Sequence, residues 1–239
     1  MSKETPEQRR ENIRKMFDAI SPRYDLLNYL LSFGRDRSWR RRAVRTLDID
    51  SKDILLDLAC GTGDVALTAH RKCDGPGEII GVDFSEEMLK IAETKFAKQQ
   101  ITIPYSFVHA DVTDLPLEDE SVNCISIAFG IRNVVDVPKA LSEMMRVLKS
   151  GGKLVILEFA PPRGRVFGPL FHWYFKKILP WIGGIISGKK SAYEYLPRSV
   201  GEFYTIERLI NLMKNAGFEI SKVDKYTFGV TVAYLGVKQ

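Results

Sequence analysis

One stretch decides the fold: ILLDLACGTGD, residues 54–64. An apolar run, interrupted only by Asp57, leads into two glycines separated by one residue and then into a predicted helix. Such a run is typical of a strand that is buried on both faces of a parallel sheet. Gly61 and Gly63 let the backbone turn tightly and approach a ligand without contacts from a Cβ atom. Because the helix starting near Asp64 presents free N–H groups beside the loop, the stretch predicts a nucleotide-binding βα unit.

Strand and helix patterns alternate after this loop. Strands are predicted at Ile54–Leu58, Glu78–Val82, Tyr105–His109, Val122–Phe129 and Lys153–Phe159. Helices are predicted between them at Asp64–Lys72, Ser85–Lys98 and Asp136–Lys149, the last one ended by Gly151 and Gly152. A helix at Thr205–Asn215 and two closely linked strands, Glu219–Tyr226 and Val230–Val237, complete the chain. The short link requires those two strands to be antiparallel, so the pattern predicts an α/β fold with a Rossmann-like, mostly parallel sheet.

Length, charge and cysteine content limit the class of protein. The 239 residues carry a formal charge of +5 and are expected to form one domain. Three cysteines without a CxxC pair argue against a disulfide framework or a zinc ribbon. The first twelve residues are charged, and no apolar run approaches the roughly 18 residues of a membrane-spanning helix. We therefore expect a cytoplasmic protein, with peripheral contact at the inner face of a membrane left open.

Two segments outside the βα pattern are basic and partly aromatic. Arg35–Arg45 carries six arginines and one acid, and it is interpreted either as a solvated helix face or as a patch facing an anion or lipid. Val166–Ile186 is apolar, aromatic and flanked by lysines, which suits an element at a membrane interface. The alternative is a lid that packs its aromatic side chains onto the core. Both interpretations of each segment stay open on the sequence.

Carboxylates follow the ends of successive predicted strands. Asp57 lies at the end of the first, where an anion suits a ligand with a cationic group better than a pyrophosphate. Asp83 ends the second strand, 20 residues after Gly63, and can accept hydrogen bonds from two ribose hydroxyls. Asp111 can accept from an adenine amino group, and the Val112 amide can donate to a ring nitrogen. Together with Gly61, Thr62 and Gly63, these residues predict a site for a nucleoside without phosphates.

The chain resembles a class I S-adenosylmethionine-dependent methyltransferase in these residues, and more closely the ubiquinone/menaquinone biosynthesis C-methyltransferases. The match runs from about Met16 to Lys238. Cys60 and Ala128 depart from the usual family residues, so no hydroxyl contact is inferred at position 128. The motifs that carry the closer resemblance are FDAISPRYDLLN (residues 17–28), SFG (32–34), FGIRNV (129–134), LEF (157–159) and LPWIG (179–183).

The resemblance implies methyl transfer from S-adenosylmethionine, without a metal, to a ring carbon of a reduced polyprenyl quinol. The acceptor would be demethylmenaquinol or a ubiquinone precursor, with a slight preference for the first. Arg132 would stabilise the developing quinolate, Asn133 would orient a quinol oxygen, and Tyr24 would contact the donor. Asp25 or His172 would accept a proton.

The resemblance also implies how the domain is divided. We expect a seven-stranded sheet with N-terminal helices and a lid inserted after the fifth strand. Residues 1–50 would form a helical cover, 51–159 the donor-binding core, 160–204 the aromatic and basic lid, and 205–239 the final helix and strand pair.

Three other functions fit the residues less well. A nucleic-acid methyltransferase is disfavoured because no NPPY run, no Pro-Cys nucleophile and no separate RNA-binding module are present. Asp57 and the lack of a further catalytic domain disfavour an oxidoreductase. A lipid-binding adaptor does not explain a full set of donor residues. The quinone, the prenyl length and the oligomeric state, including a homodimer, are left open.

Overall fold

The computed structural model describes residues 5–72, 75–160, 173–174 and 190–239. Within them, seven strands form one sheet in the order β3-β2-β1-β4-β5-β7-β6. Strands β1 to β5 are parallel, and β7 is antiparallel to both of its neighbours, as the sequence predicted. The strands are β1 Ile54–Leu58, β2 Glu78–Asp83, β3 Tyr105–His109, β4 Val122–Ala128, β5 Leu148–Phe159, β6 Phe218–Tyr226 and β7 Thr231–Lys238.

Helices cover both faces of this sheet. Because side chains of a strand alternate between faces, Leu56 and Leu58 of β1 join one hydrophobic cluster, whereas Leu55 joins another. The first cluster includes residues of α6 and α8, and the second includes residues of α3 and α4. The helices are α1 Pro6–Ile20, α2 Tyr24–Leu31, α3 Arg35–Arg45, α4 Asp64–Lys72, α5 Glu86–Lys98, α6 Val137–Val147, α7 Lys190–Glu202 and α8 Ile206–Asn215.

The N-terminal helices start and stop at sequence signals. Thr5 and Gln8 exchange hydrogen bonds in a capping box that begins α1. Ser21 and Pro22 lie in a single 3₁₀ turn that separates α1 from α2. Gly34, with φ of +69°, then turns the chain between α2 and α3.

The predicted end of α6 and the predicted start of β5 were wrong. Helix α6 ends at Val147, and Gly151 and Gly152 lie inside β5 instead of ending the helix. Leu148 pairs with Val122 and Lys153 with Cys124, so the register shifts between these pairs and β5 bulges here. A Cβ atom on Gly152 would lie 2.7 Å from the Leu148 side chain and 2.8 Å from the Asn123 carbonyl oxygen. The glycines therefore serve the close packing of this bulge.

In the described part of the chain, no helix combines the length and apolarity needed to cross a bilayer. Most of the predicted lid, residues 161–172 and 175–189, lies outside the described residues, and so does His172. The described parts of it are residues 160, 173–174 and 190–204, which include the helix Lys190–Glu202.

Candidate active site

Two cavities adjoin at the carboxyl ends of the parallel strands. We name the first the strand-end cavity; it comprises about 710 Å³ of space open to solvent. We name the second the helix-side cavity; it comprises about 1200 Å³ and lies beside the N-terminal helices. Phe17, Tyr24 and Phe129 line both cavities and therefore form the wall between them. The other residues of the strand-end cavity are Arg10, Ala59, Gly61, Asp83, Phe84, Met88, Ala110, Asp111, Val112, Ala128, Gly130, Asn133, Val134 and Val135.

The loop after β1 contains residues with positive φ, a backbone conformation that few residue types adopt easily. Ala59, Gly61 and Gly63 have φ values of +49°, +54° and +78°. Among the described residues, a Cβ atom on Gly61 would meet only the Tyr24 ring, at 3.9 Å, so the space beside Gly61 is open to a ligand. A Cβ atom on Gly63 would lie 3.0 Å from the Phe96 ring, so this glycine serves packing against α5. Gly63 does not line either cavity.

Asp83 lies at the end of β2 and borders the strand-end cavity. Its Oδ2 accepts a hydrogen bond from the Gly61 amide at 2.8 Å, and its Oδ1 accepts from the Ser85 amide at 2.9 Å. Burial raises the pKa of this carboxyl to about 6, although the amide hydrogen bonds act in the opposite direction. The carboxylate is thus held rigidly, with lone pairs left to accept from a ligand hydroxyl.

Asp57 lies deeper than the sequence predicted. Its side chain is fully buried and lines neither cavity. Oδ1 accepts a hydrogen bond from the Ser126 hydroxyl at 2.7 Å, while Oδ2 has no partner among the described residues. Burial raises the pKa of Asp57 to about 7. The expected direct contact with a cationic ligand is not what this geometry supports, because β4 and the start of α4 enclose the carboxyl group.

Asp111 and Val112 border the strand-end cavity at the end of β3. The Asp111 Oδ1 accepts from the Thr113 amide at 2.8 Å, and its Oδ2 forms an ion pair with the Arg10 Nε at 2.8 Å. Arg10 belongs to α1, so Asp111 also holds the N-terminal helix over the cavity. The sequence predicted only that this carboxylate accepts a hydrogen bond from an adenine amino group.

A second set of polar contacts joins α2 to the loop after β1 that contains Gly61 and Gly63. The Thr62 hydroxyl donates to Asp25 Oδ1 at 2.6 Å, and Lys95 Nζ lies 2.6 Å from Asp25 Oδ2. Lys95 also contacts Thr62 and Asp64, at 2.9 and 2.6 Å. Neither Asp25 nor Thr62 lines the two cavities. The prediction of Asp25 as a proton acceptor is therefore not supported, because its carboxylate is engaged outside them.

Arg132 and Glu158 form a buried ion pair beside the helix-side cavity. The Arg132 Nη1 lies 2.9 Å from Glu158 Oε1 and also donates to the Phe129 carbonyl. The Arg132 side chain is 7% exposed and that of Glu158 is 1% exposed. Burial raises the pKa of Glu158, and the charge of Arg132 opposes that shift. The Arg132 Nε–H has no hydrogen-bond partner among the described residues, and Arg132 lines the helix-side cavity.

Asn133 and Tyr24 lie where the two cavities meet. Asn133 lines the strand-end cavity, and its Oδ1 accepts a hydrogen bond at 3.0 Å from Tyr195 of α7, which lines the helix-side cavity. Burial raises the pKa of the Tyr24 hydroxyl. Tyr24 is thus a neutral phenol at physiological pH, suited to contact rather than to proton removal.

The helix-side cavity is largely apolar. The Trp39 and Phe129 rings are 6.3 Å apart, and Phe129 and Phe159 are 4.6 Å apart, so aromatic faces form one wall. The other residues lining it are Met16, Ile20, Asn28, Leu31, Ser32, Phe33, Arg35, Asp36, Arg40, Arg132, Tyr174, Tyr195, Leu196, Thr227 and Val230. An aromatic ring with an apolar tail suits such a lining, since few polar groups have to be desolvated.

Arg10, Lys95, Glu158 and Tyr195 were not predicted as site residues. Glu158 had a signal, because it is an acid near the end of an otherwise apolar strand. The other three come from helices that approach the site only through tertiary packing. Within the described residues, no group of three or more His, Cys, Asp or Glu side chains could hold a metal ion. A metal-free reaction stays a prediction.

Comparison with known proteins gives close sequence relatives. Residues 3–238 match the model of the ubiE/COQ5 methyltransferase family. The ubiquinone/menaquinone biosynthesis C-methyltransferase UbiE of Geotalea daltonii is 46% identical over 95% of this chain and 97% of its own length. The demethylmenaquinone methyltransferase of Thermus thermophilus is 46% identical over 92% of this chain and 99% of its own.

Solved structures share the fold at much lower sequence identity. An S-adenosylmethionine-dependent methyltransferase from Thermotoga maritima superimposes with a TM-score of 0.65 at 21% identity, covering 95% of this chain and 99% of the other. At that identity the likeness shows the fold alone, which is that of the class I methyltransferases.

Proposed function

The chain belongs to the ubiE/COQ5 methyltransferase family, and on that premise we propose that it transfers a methyl group from S-adenosylmethionine to a ring carbon of a polyprenyl quinol. The preferred acceptor is demethylmenaquinol. The observation that carries the proposal is the pair of adjoining cavities, one edged by carboxylates and one apolar, with Phe17, Tyr24 and Phe129 between them. Donor and acceptor would meet at that wall.

The strand-end cavity fits an adenosyl ligand. The buried Asp83 carboxylate can accept from ribose hydroxyls, and the open space beside Gly61 admits a ligand close to the backbone. Phe84, Met88 and Val112 offer apolar surfaces for a purine ring, and the Val112 amide is the expected donor to it. S-adenosylmethionine would supply a methyl group already activated by the sulfonium charge. The protein then has to align the two reactants and stabilise charge.

Arg132 is proposed to stabilise the negative charge that develops on a quinol oxygen. Its Nη1 is held by Glu158 and the Phe129 carbonyl, which fixes the plane of the guanidinium group. The Nε–H, which has no hydrogen-bond partner in the described part of the chain, is the group that we expect to donate to the quinol oxygen. An unsatisfied donor this deeply buried is costly, so a ligand oxygen would relieve an existing penalty.

Asn133 is proposed to orient the same acceptor ring. Because its Oδ1 accepts from Tyr195, its amide nitrogen is directed to act as the donor. Tyr195 lines the helix-side cavity and thereby links the acceptor side to a residue of the strand-end cavity. Tyr24 lies above Gly61 and would contact the donor as a neutral phenol. The N-terminal helices would act as the cover of the donor site.

The acceptor is tested with the purified protein, labelled S-adenosylmethionine and short-prenyl acceptors. We expect label on a ring carbon of reduced demethylmenaquinol and none on the oxidised quinone, since only the hydroquinone oxygens make the ring carbon nucleophilic. Mass spectrometry and NMR of the product identify the methylated atom. Methyl transfer to oxygen, or none to any quinol, would contradict the proposal. Turnover unchanged by a chelator would support a reaction without a metal.

The ubiquinone precursor is the second candidate acceptor. The Geotalea daltonii relative carries ubiquinone and menaquinone in its name, and the Thermus thermophilus relative carries menaquinone alone, at the same 46% identity. A parallel assay with a reduced polyprenyl methoxybenzoquinol separates the two, because the ratio of kcat/KM values measures the preference.

We also propose that the enzyme meets its lipid substrate at a membrane surface.

A further inference from the structure

Helix α2 carries an apolar stripe on its outer face. Leu26, Tyr29 and Leu30 of this helix are spaced as i, i+3 and i+4, and Phe33 follows in the turn after it; their exposed fractions range from 42% to 77%. On the opposite face, Leu27 is 1% exposed and packs into the core. The helix is thus apolar on both sides, which a surface helix of a freely soluble domain has no reason to be.

Arginines flank the stripe on the neighbouring helix. Arg37 and Arg41 of α3 are exposed, and the Arg37 guanidinium lies 4.7 Å from the centre of the Tyr29 ring. The one acid of this helix, Asp36, is buried and paired with Arg40 at 2.7 Å. The outer face of α3 is therefore cationic, with its single carboxylate turned inward.

This surface adjoins the helix-side cavity. Leu31, Phe33 and Tyr174 line the cavity, the Tyr174 hydroxyl donates to the Leu31 carbonyl at 2.9 Å, and the Phe33 and Tyr174 rings are 5.7 Å apart. Trp173, next in the chain to Tyr174, is exposed. Aromatic and aliphatic side chains thus extend from the cavity to the outer surface.

We propose that the protein docks on an anionic bilayer through this surface, which we name the α2–α3 patch: Leu26, Tyr29, Leu30, Phe33, Arg37 and Arg41. Leucine and phenylalanine would enter the acyl boundary, tyrosine would lie at the headgroup level, and the arginines would bind anionic headgroups. The inference rests on the proposed function, because a quinol with a polyprenyl tail resides in the bilayer. Docking here would place the opening of the helix-side cavity at the membrane surface.

The charge pattern favours a bilayer over a second copy of the chain. A two-fold interface on the stripe would bring the arginines of one copy close to those of the other. An anionic lipid surface instead complements every exposed arginine at once.

Vesicle co-sedimentation tests the patch with residues that line neither cavity. Wild-type protein is expected to bind vesicles of phosphatidylglycerol and phosphatidylcholine and to bind pure phosphatidylcholine far more weakly. Arg37→Gln/Arg41→Gln should weaken binding to the anionic vesicles by roughly 25-fold, because each charge contributes about fivefold. Leu26→Gln/Leu30→Gln should weaken it at least tenfold. The matched control is Lys222→Gln/Lys225→Gln, which removes two exposed charges from β6 and should bind as wild type does.

Turnover with a water-soluble, short-chain quinol distinguishes this proposal from the proposed function. Both patch variants should retain wild-type turnover with that acceptor and lose it with acceptor embedded in vesicles. The docking proposal would be overturned if wild-type protein failed to bind anionic vesicles, or if both patch variants bound them as wild type does. In either case, turnover of the water-soluble acceptor would persist. A patch variant that changes only the oligomeric state in sedimentation velocity would also overturn it. Vesicle binding without methylation of any quinol would overturn the proposed function instead.

Discussion

The strand-end cavity and the helix-side cavity share three side chains but are built in opposite ways. The first is edged by carboxylates at the ends of adjacent parallel strands, Asp83 as the last residue of β2 and Asp111 after β3. The second is formed by aromatic and aliphatic residues from α1, α2, α3, β5 and α7, with Arg132 as a buried cation. A cavity made of strand ends inherits its geometry from the sheet, whereas one made of helices depends on how those helices pack.

The two cavities also satisfy their buried charges differently. Asp83 is held by backbone amides of the loops beside it, which are rigid parts of the sheet edge. Arg132 is held by Glu158, a side chain 26 residues away. Removing Arg132 or Glu158 therefore leaves the other side chain as an uncompensated buried charge, whereas losing one amide hydrogen bond to Asp83 does not create such a charge. The difference predicts that variants on the helix side lose stability and turnover together.

Breaking the buried pair should have the largest effect. Arg132→Met leaves the Glu158 carboxylate buried without a counter-charge, so we expect the free energy of unfolding to fall by about 3–5 kcal/mol. We also expect kcat to fall at least a hundredfold, because a fixed donor to the quinol oxygen is removed. Denaturant unfolding and steady-state kinetics measure the two effects.

The double variant Arg132→Met/Glu158→Leu separates stability from chemistry. Replacing both charges by apolar groups should restore most of the stability, since no charge is left buried. Turnover should stay low. Recovery of kcat in the double variant would show that Arg132 acts only by balancing Glu158.

Gly130→Ala tests how closely the β1 and β4 loops approach. An added Cβ atom would lie 2.5 Å from the Ala59 Cβ, so the loops at the strand-end cavity must separate. We expect a loss of about 1–3 kcal/mol in unfolding free energy and weaker donor binding by calorimetry. Gly201→Ala in α7 is the matched control: a Cβ there meets no heavy atom of the described residues within 4 Å, so this variant should be neutral or stabilising.

Asp57 makes stability depend on pH. Its pKa is raised from about 4 in the unfolded chain to about 7 in the fold, so the folded state binds more protons between these values. The contribution of Asp57 to the free energy of unfolding is thus fully present below pH 4 and is lost as the pH rises through 7. As the pH rises from 4.5 to 8, the free energy of unfolding of Asp57→Asn should therefore increase by about 1–4 kcal/mol relative to that of the wild type. Chemical denaturation at both pH values measures the change, with the exposed Asp114→Asn as control. An equal response in both variants would contradict this account.

The Arg10 contact should give the smallest effect. The Arg10 side chain is half exposed, so its pair with Asp111 is screened by solvent. Arg10→Gln is expected to weaken donor binding less than tenfold, and the difference should shrink at high salt. Lys15→Gln removes a pair within α1, with Glu11, and should leave donor binding unchanged. Equal effects of the two variants would show that the Arg10 contact does not hold the cover.

Local sequence sufficed for the sheet and for much of the strand-end cavity. Strands β1 and β3 and helix α4 begin and end where predicted, because periodicity and capping are local properties. Gly61, Asp83 and Asp111 line the cavity since they follow strand ends. Asp57 departs from that rule because β4 lies beside β1 in the sheet, which puts Ser126 against its carboxyl group.

The polar contacts of the cover could not be predicted in this way. The Thr62 hydroxyl and the Asp25 carboxylate are 37 residues apart in sequence, and Lys95 joins them from a third element. Arg10 reaches Asp111 across a hundred positions. Such pairs depend on where helices settle on the sheet, and no periodicity in one segment encodes that placement.

Reciprocal blocking of the two cavities tests the central claim that one binds the donor and the other the acceptor. Ala110 lines only the strand-end cavity, and Leu31 lines only the helix-side cavity. We would measure S-adenosylmethionine affinity by calorimetry for Ala110→Trp and Leu31→Trp, after confirming that both variants fold, alongside quinol turnover. The account predicts that Ala110→Trp loses donor binding, that Leu31→Trp keeps it, and that both lose turnover. Loss of donor binding in Leu31→Trp, or its retention in Ala110→Trp, would contradict the account.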